Sequence, residues 1–192
     1  MTTDYRQSRE LRPRRRGVRR FVLPLAITLV LLVALLICVA WIPLLQGRDA
    51  WLQGRNDDAI AIGEKWSRLH LWPTQYHQLL TAAYLTGGPL MKASQHIQGI
   101  GTIRLSIIPK EELARRLFAR QHYSDFLSYD AASRETSESA DVPLYRAAAL
   151  LATNRLVDAQ KAFASIDKTH VNAARYTALQ RTIAAHASGT VP

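Results

Sequence analysis

Cysteine is almost absent from this chain of 192 residues, and its scarcity restricts the chemistry that the chain can carry. The one cysteine, Cys38, lies inside a long hydrophobic run, so a disulfide within a monomer and a cysteine-based metal site are both excluded. The sequence also lacks a Gly-rich phosphate loop, a His-Glu-x-x-His motif and a Gly-x-Ser-x-Gly nucleophile motif. We therefore predict that the protein is not an enzyme and that it binds no cofactor and no metal.

The titratable residues do not assemble into a recognisable catalytic set. The carboxylate pairs Asp57–Asp58 and Glu111–Glu112 stand at expected helix starts, where acidic side chains complement the helix dipole. We interpret Asp125 and Asp130 as part of a solvated helix face. An envelope hydrolase with scattered catalytic groups remains the enzymatic alternative. No two of the six histidines have the i, i+4 spacing of a helical metal site: 70, 77, 96, 122, 170 and 186.

Strand signals are also scarce, since polar and apolar residues rarely alternate and no Asn-Gly or Asp-Gly turn occurs. The one stretch that favours strand, Ile103 to Ile108, is short. Helix starts are frequent by contrast, with Asn56 as an expected capping residue and further starts near Pro73, Pro109 and Asp141. The sequence therefore predicts an all-α fold.

One long apolar run is present near the N-terminus. Residues 21–45 contain no charge, and 25 residues of helix span roughly 37 Å, enough to cross a hydrocarbon core of about 30 Å. Eight of the arginines precede this run in residues 1–20, which predicts a cytoplasmic N-terminus and a periplasmic or otherwise extracytoplasmic C-terminal domain. The net charge of +10 comes mostly from this tail, so no nucleic-acid partner is expected.

Other readings of the apolar run are open. Cleavage of a signal peptide after Ala40 is possible in principle, although the run continues through Trp41 and Leu45. A lipoprotein acylated at Cys38 is disfavoured by the bulky Ile37, and the pair Arg19–Arg20 lacks the rest of a twin-arginine signal. We thus expect an Arg-rich cytoplasmic tail (1–20), a transmembrane helix in the inner membrane (21–45), a helical domain (46–187) and a disordered tail (188–192).

An internal repeat organises the helical domain. Gly54 is followed five residues later by Ala59, and Gly88 by Ala93, at a spacing of 34. The same offset recurs in two further units, Gln121 with Phe126 and Asn154 with Ala159. A residue that tolerates the left-handed conformation can end one helix, and a small residue in the next helix allows close approach. Four units of 33–34 residues therefore predict stacked helical hairpins.

This pattern resembles the tetratricopeptide repeat family over about residues 45–168. The resemblance implies three to four hairpins, with the final helix Asn172 to Ala187 as a polar cap. The departures are that Pro73 and Pro109 fall later than the family's closing proline and that the fourth unit has no such proline. In the third unit, Gln121 and Phe126 replace the usual Gly and Ala. An irregular α-helical bundle is the alternative. Since the repeat register begins near Leu45, the span is expected to run directly into the first hairpin unless Pro43 and Gly47 break it.

The resemblance also implies a partner-binding inner face formed by the first helix of each unit. We therefore predict a protein-binding scaffold for a cell-envelope complex, the alternative being an accessory or maturation factor for an exported enzyme complex. Trp66, Leu69, Leu71, Trp72 and Tyr76 are interpreted as core packing at the first hairpin junction, the alternative being a ligand surface. The predicted partner-binding residues are Gln75, Gln78, Leu85, Glu111, Arg115, Phe118, Leu144 and Leu151.

Overall fold

A computed structural model describes residues 18–103, 106–135 and 139–188 of the chain. The described part is predominantly helical, which confirms the all-α prediction. The expected Arg-rich tail falls outside it up to residue 17, as does the expected disordered tail from residue 189. Two two-residue strands, β1 (Thr102–Ile103) and β2 (Arg134–Glu135), pair in parallel. The helices are α1 (Val18–Leu52), α2 (Asn56–Ser67), α3 (Pro73–Gly87), α4 (Leu90–Ile97), α5 (Lys110–Ala119), α6 (Tyr123–Ala132), α7 (Val142–Ala152), α8 (Leu156–Ala164) and α9 (Ala173–Ala187).

The chain divides into two compact units between Val39 and Ala40. In the first unit, residues 24–39 of α1 expose apolar side chains, such as Leu25 at 71% and Val30 at 65%. The segment Pro24–Leu52 is long and apolar enough to cross a membrane by length and composition. A continuous exposed apolar surface is costly in water, which is the physical reason to regard this helix as a candidate span.

The helical unit starts earlier than the expected boundary at residue 46. Helix α1 continues without a break through Pro43 and Gly47, and Leu44 is fully buried in the helical unit. A Cβ atom added at Gly47 would lie 2.6 Å from Leu79, so the glycine permits close approach of α1 and α3. The last turns of α1 therefore belong to the core of the helical unit.

Three of the four predicted turn residues adopt the left-handed conformation. Gly54 has φ +79°, while Gln121 and Asn154 both have φ +59°. At each, the residue's own N–H and the next residue's N–H return to carbonyls of the preceding helix, as in a Schellman motif. The same turn thus occurs three times, at spacings of 67 and 33 residues, in agreement with the predicted period.

The residues that follow these turns also repeat. A basic side chain next to each turn residue faces an aspartate three positions later, as in Arg155–Asp158 at 2.7 Å. Arg55–Asp58 is the equivalent ion pair, and at the third turn the His122 ring lies 3.1 Å from Asp125, which is an ion pair only when the histidine is protonated. Directly after each aspartate comes a residue that is 0% exposed: Ala59, Phe126 and Ala159. The turn, the contact with the aspartate and the buried position therefore form one repeated structural unit.

Gly88 departs from this unit, and the prediction of a left-handed turn there is wrong. Its φ is −111° and its ψ is −170°, which is extended backbone. Pro89 follows, and proline has no N–H to donate back to α3, so the Schellman hydrogen-bond pair cannot form. The helix pair α3–α4 is consequently joined by a different turn.

Each helix of the helical unit packs mainly on the next helix in the chain or on the next but one. Helix α3 contacts α5, α5 contacts α7, and α7 contacts α9; α2, α6 and α8 each pack on the helix that follows them. One core cluster is centred on Leu79, Leu80, Leu113 and Leu117, and a smaller one contains Leu150 and Ile183. This arrangement places α5, α7 and α9 side by side, where they border a groove.

Candidate partner-binding groove

Phe118 of α5 forms the floor of an apolar groove. Its ring makes edge contacts with Tyr123 at 5.0 Å, Phe126 at 5.9 Å and Tyr145 at 5.1 Å between ring centroids. Edge-to-face aromatic packing of this kind fixes ring orientation as well as burying surface. The floor is therefore a preformed apolar surface.

The walls of the groove come from α7 and α9. Its volume is about 280 Å³, and it is open to solvent along one side. That volume lies just below the roughly 300–1,000 Å³ that small-molecule sites occupy, and it suits one or two apolar side chains of a partner segment better. The lining residues are Phe118, Leu144, Tyr145, Ala148, Arg175, Ala178, Leu179 and Thr182.

The charged rim of the groove is internally compensated. Arg175 donates from Nη1 to Asp141 Oδ2 at 2.9 Å and lies 5.5 Å from the centroid of the Tyr145 ring. Glu111 is 4.0 Å from the same guanidinium nitrogen and accepts a hydrogen bond from Ser139. The rim can thus offer hydrogen-bonding groups to a partner without a large excess of either charge.

The eight predicted partner-binding residues do not form one surface. Phe118 and Leu144 line the groove, although Leu144 is only 4% exposed. Gln78, Leu85 and Leu151 are also buried, so in this conformation their side chains pack in the core. Gln75, Glu111 and Arg115 keep accessible surface but lie outside the groove lining. Partner binding by any of them stays a prediction.

Gln78 is buried because the connection between α4 and α5 covers it. Its Oε1 accepts from the Ile107 N–H at 3.0 Å, and its Nε2 donates to Tyr129 Oη at 3.0 Å and to Ser106. Ile107 and Ile108 of the connection are themselves buried. The connection therefore occupies the α3 end of the face that the sequence predicted to be open.

Arg115 borders a second, polar pocket of about 370 Å³, together with Arg116 and Arg120. The guanidinium of Arg116 is fully engaged within the protein: it donates to the Trp51 and Leu52 carbonyls and to Glu112. Hydrogen bonds from Arg115 and Arg116 hold the pKa of Glu112 below its usual value. Arg116 thus ties α5 to the end of α1, and no local sequence pattern predicts this contact.

Asp130 is not on a solvated face as the sequence suggested. Its side chain is 6% exposed and accepts from Lys110 Nζ at 3.1 Å and from Arg146 Nη2 at 3.0 Å. Burial alone would raise the pKa of Asp130, but the hydrogen bonds and charges of Arg146 and Lys110 together lower it. Asp130 is therefore an ionised, compensated core carboxylate.

Asn56 does not cap its helix as predicted. Arg55 occupies the N-cap position, and the Asn56 side chain instead donates to the Thr86 carbonyl at 3.2 Å and accepts from the Thr86 hydroxyl at 3.1 Å. The contact ties α2 to the end of α3. At α9, by contrast, the Asn172 side chain does accept from the Arg175 N–H, so this cap is present.

Two histidines that lie 19 residues apart in sequence meet between α3 and α4. His77 and His96 approach with their Nδ1 atoms 3.0 Å apart and their ring centroids 5.3 Å apart. The ring centroids are farther apart than the two Nδ1 atoms by about two imidazole ring radii. The two nitrogens therefore point at each other, and one donates a hydrogen bond to the other. Burial lowers the pKa of both rings. Within the described residues, no group of three or more His, Cys, Asp or Glu side chains could hold a metal ion.

Comparisons of the chain with protein-family models, with curated proteins and with solved structures find no match.

Proposed function

We propose that this is a single-pass inner-membrane protein whose extracytoplasmic helical unit is a tetratricopeptide-repeat-like scaffold that binds a segment of a cell-envelope protein. The groove between α5, α7 and α9 is the observation that carries the proposal. A rigid aromatic floor and small side chains such as Ala148 and Ala178 leave room for apolar side chains from a partner. The repeated turn at Gly54, Gln121 and Asn154 supports the repeat-like arrangement.

The anchoring part of the proposal rests on α1 and on the arginines before it. The apolar helix supplies the length, and the positive-inside rule supplies the orientation. Alkaline phosphatase fused after residue 188 tests this part in a Gram-negative host, because the enzyme becomes active only on the periplasmic side. We expect an active fusion that stays in the membrane fraction after alkaline carbonate washing. A released or inactive fusion would contradict it.

Ala148→Arg tests the groove itself. The arginine side chain would fill the space between α7 and α9, so we expect partner proteins to be lost from affinity purifications of the full chain. Gln160→Arg on the exposed face of α8 is the matched control and should retain them. Circular dichroism must show that both variants keep their helix content and melting temperature.

Photo-crosslinking distinguishes a scaffold from a maturation factor. With a photoreactive residue at Leu179, a scaffold should give stoichiometric adducts throughout growth. A maturation factor should give adducts with newly made enzyme that decay during a chase. Equal crosslinking from positions 179 and 160 would count against the groove as a binding site.

A further inference from the structure

The loop between α2 and α3 exposes large apolar side chains. Leu69 is 54% exposed, Leu71 43% and Trp72 36%. The interpretation of these three as core packing is therefore wrong, whereas Tyr76 is buried and Trp66 is partly buried as expected. Three exposed apolar side chains within the four residues 69–72 are unusual on a surface that faces water alone.

Two residues of this loop have a strained, left-handed backbone conformation. His70 has φ +52° and Trp72 has φ +57°, the left-handed region that non-glycine residues rarely adopt. Hydrogen bonds from His70 N to the Ser67 carbonyl at 3.1 Å and from Tyr76 N to the Trp72 carbonyl at 3.1 Å hold the loop in place. Backbone strain that is maintained by its surroundings is characteristic of functional segments.

The loop lies beside residues in the last part of the apolar run. The Trp72 ring packs edge-on against Trp41 with centroids 5.2 Å apart. Trp41 and Ile42 come two and three residues after Val39, and Ile42 is 53% exposed. Tryptophan is enriched where a span meets the membrane–water interface, because its ring is apolar and its N–H is polar. We name Trp41, Ile42, Leu69, Leu71 and Trp72 the interface patch.

We propose that the interface patch inserts into the headgroup region of the bilayer next to the span, so that the α2–α3 loop is a second membrane attachment of the helical unit. The occupant of the patch is therefore a lipid surface. Continuity with the apolar run argues for this, and the exposed Arg68 at the edge of the loop adds attraction to anionic headgroups. The proposal rests on the membrane span that is part of the proposed function.

Site-directed spin labelling of the full chain tests the proposal. In a Cys38→Ser background, single nitroxide labels are placed at Leu71→Cys, at Met91→Cys and at Leu31→Cys. Met91 on α4 is 77% exposed and outside the interface patch, and Leu31 lies in the middle of the apolar run. The protein is reconstituted in liposomes of phosphatidylcholine and phosphatidylglycerol. Accessibility to oxygen, which concentrates in lipid, is compared with accessibility to a water-soluble nickel chelate.

We expect the label at 71 to be reached by oxygen and protected from nickel, the label at 91 to be reached by nickel, and the label at 31 to be the deepest. A label at 71 as nickel-accessible as that at 91, with 31 protected, would overturn the inference and leave the span intact. A label at 31 exposed to nickel would overturn the span itself. Protection of 71 from both reagents would indicate a protein contact and would also overturn the inference. If Leu71→Cys fails to fold by circular dichroism, Leu69→Cys replaces it.

Discussion

The carboxylate of Asp130 compensates the charge of a lysine that has almost no access to water. The Lys110 side chain is 1% exposed, and besides Asp130 its Nζ donates to the Ser133 carbonyl at 3.0 Å. Removing one partner of a buried ion pair is far more costly than removing both, because the remaining charge stays desolvated. The pair therefore makes a specific prediction about stability.

Asp130→Ala is expected to lower the free energy of unfolding by about 3–5 kcal/mol. Replacing both charges, in Asp130→Leu with Lys110→Met, should recover a large part of this loss because Arg146 is partly exposed and can be hydrated. Urea unfolding followed by circular dichroism measures both variants. Equal losses in the single and double variants would show that the lysine charge is compensated by other groups.

The meeting of His77 and His96 predicts a pH dependence. Burial depresses the folded-state pKa of both rings below the ordinary value of 6.5, so the unfolded chain binds more protons below that pH. Their contribution to stability is therefore present above pH 6.5 and is lost as the pH falls below it. The charged or titratable groups around them are Glu64 from α2, Tyr84 from α3 and Lys92 from α4.

Thermal unfolding between pH 7.5 and 5 measures this dependence. The melting temperature is expected to fall with acidification, and to fall less in His96→Phe, which keeps an aromatic ring against Tyr84. Because Tyr84 and Lys92 both hydrogen-bond Glu64 and lower its pKa, that carboxylate stays ionised over this range. An identical slope in His96→Phe and the parent protein would exclude the histidine pair as the source.

The sequence could not assign these residue-level roles, because each depends on a contact distant in the chain. Lys110 and Asp130 are 20 residues apart, and Gln78 meets Tyr129 over 51. The sequence around an aspartate does not show whether its side chain is exposed or buried. Only the packing of α5 on α6 and α7 distinguishes Asp130 from the half-exposed Asp125.

The turns between helices are the elements that the sequence predicts best. A left-handed residue is needed wherever a Schellman motif ends a helix, and glycine and asparagine meet that need locally. Gly54 and Asn154 were therefore identifiable from residue type, and Gln121 from its spacing. Gly88 does not follow this rule because Pro89 comes next, and its missing N–H prevents the motif.

Gln121→Gly is expected to stabilise the protein by about 1 kcal/mol, because a left-handed φ costs a non-glycine residue roughly 1–2 kcal/mol and glycine avoids most of it. Gln160→Gly, in the exposed middle of α8, is the matched control and should destabilise by about 1 kcal/mol. Urea midpoints that move in opposite directions would support the assignment. A loss of stability in both variants would contradict the strained turn at Gln121.

The connection from α4 to α5 is the element that altered the candidate binding face. The late position of Pro109 in the sequence indicates that this connection is long, but it does not indicate which surface the connection covers. Ile107 and Ile108 bury themselves against α3, since apolar side chains in a connection gain by covering adjacent core surface. Of the predicted partner-binding residues, Phe118 and Leu144 line the groove between α5, α7 and α9, and their role in partner binding stays a prediction.

At the scale of the whole molecule, composition and periodicity were enough to predict an all-α unit after an apolar run. They did not define where one ends and the other begins. Apolar residues satisfy a bilayer and a protein core equally well, so Leu44 reads as part of a span although it is fully buried in the helical unit. The compact helical unit therefore begins at Ala40, inside the apolar run.

Two soluble fragments test that boundary. A fragment that begins at residue 40 retains the buried Leu44 and the contact of Trp41 with Trp72, and a fragment that begins at residue 46 loses both. Removing a buried leucine alone costs about 2–5 kcal/mol, so the shorter fragment should unfold at clearly lower urea concentration, with a smaller contribution from the lost aromatic pair. Leu44→Ala in the longer fragment separates the two effects, since it removes the leucine and keeps the tryptophans. If both fragments unfold at the same urea concentration, the last turns of α1 contribute nothing to the fold, and the helical unit begins where the sequence alone had placed it.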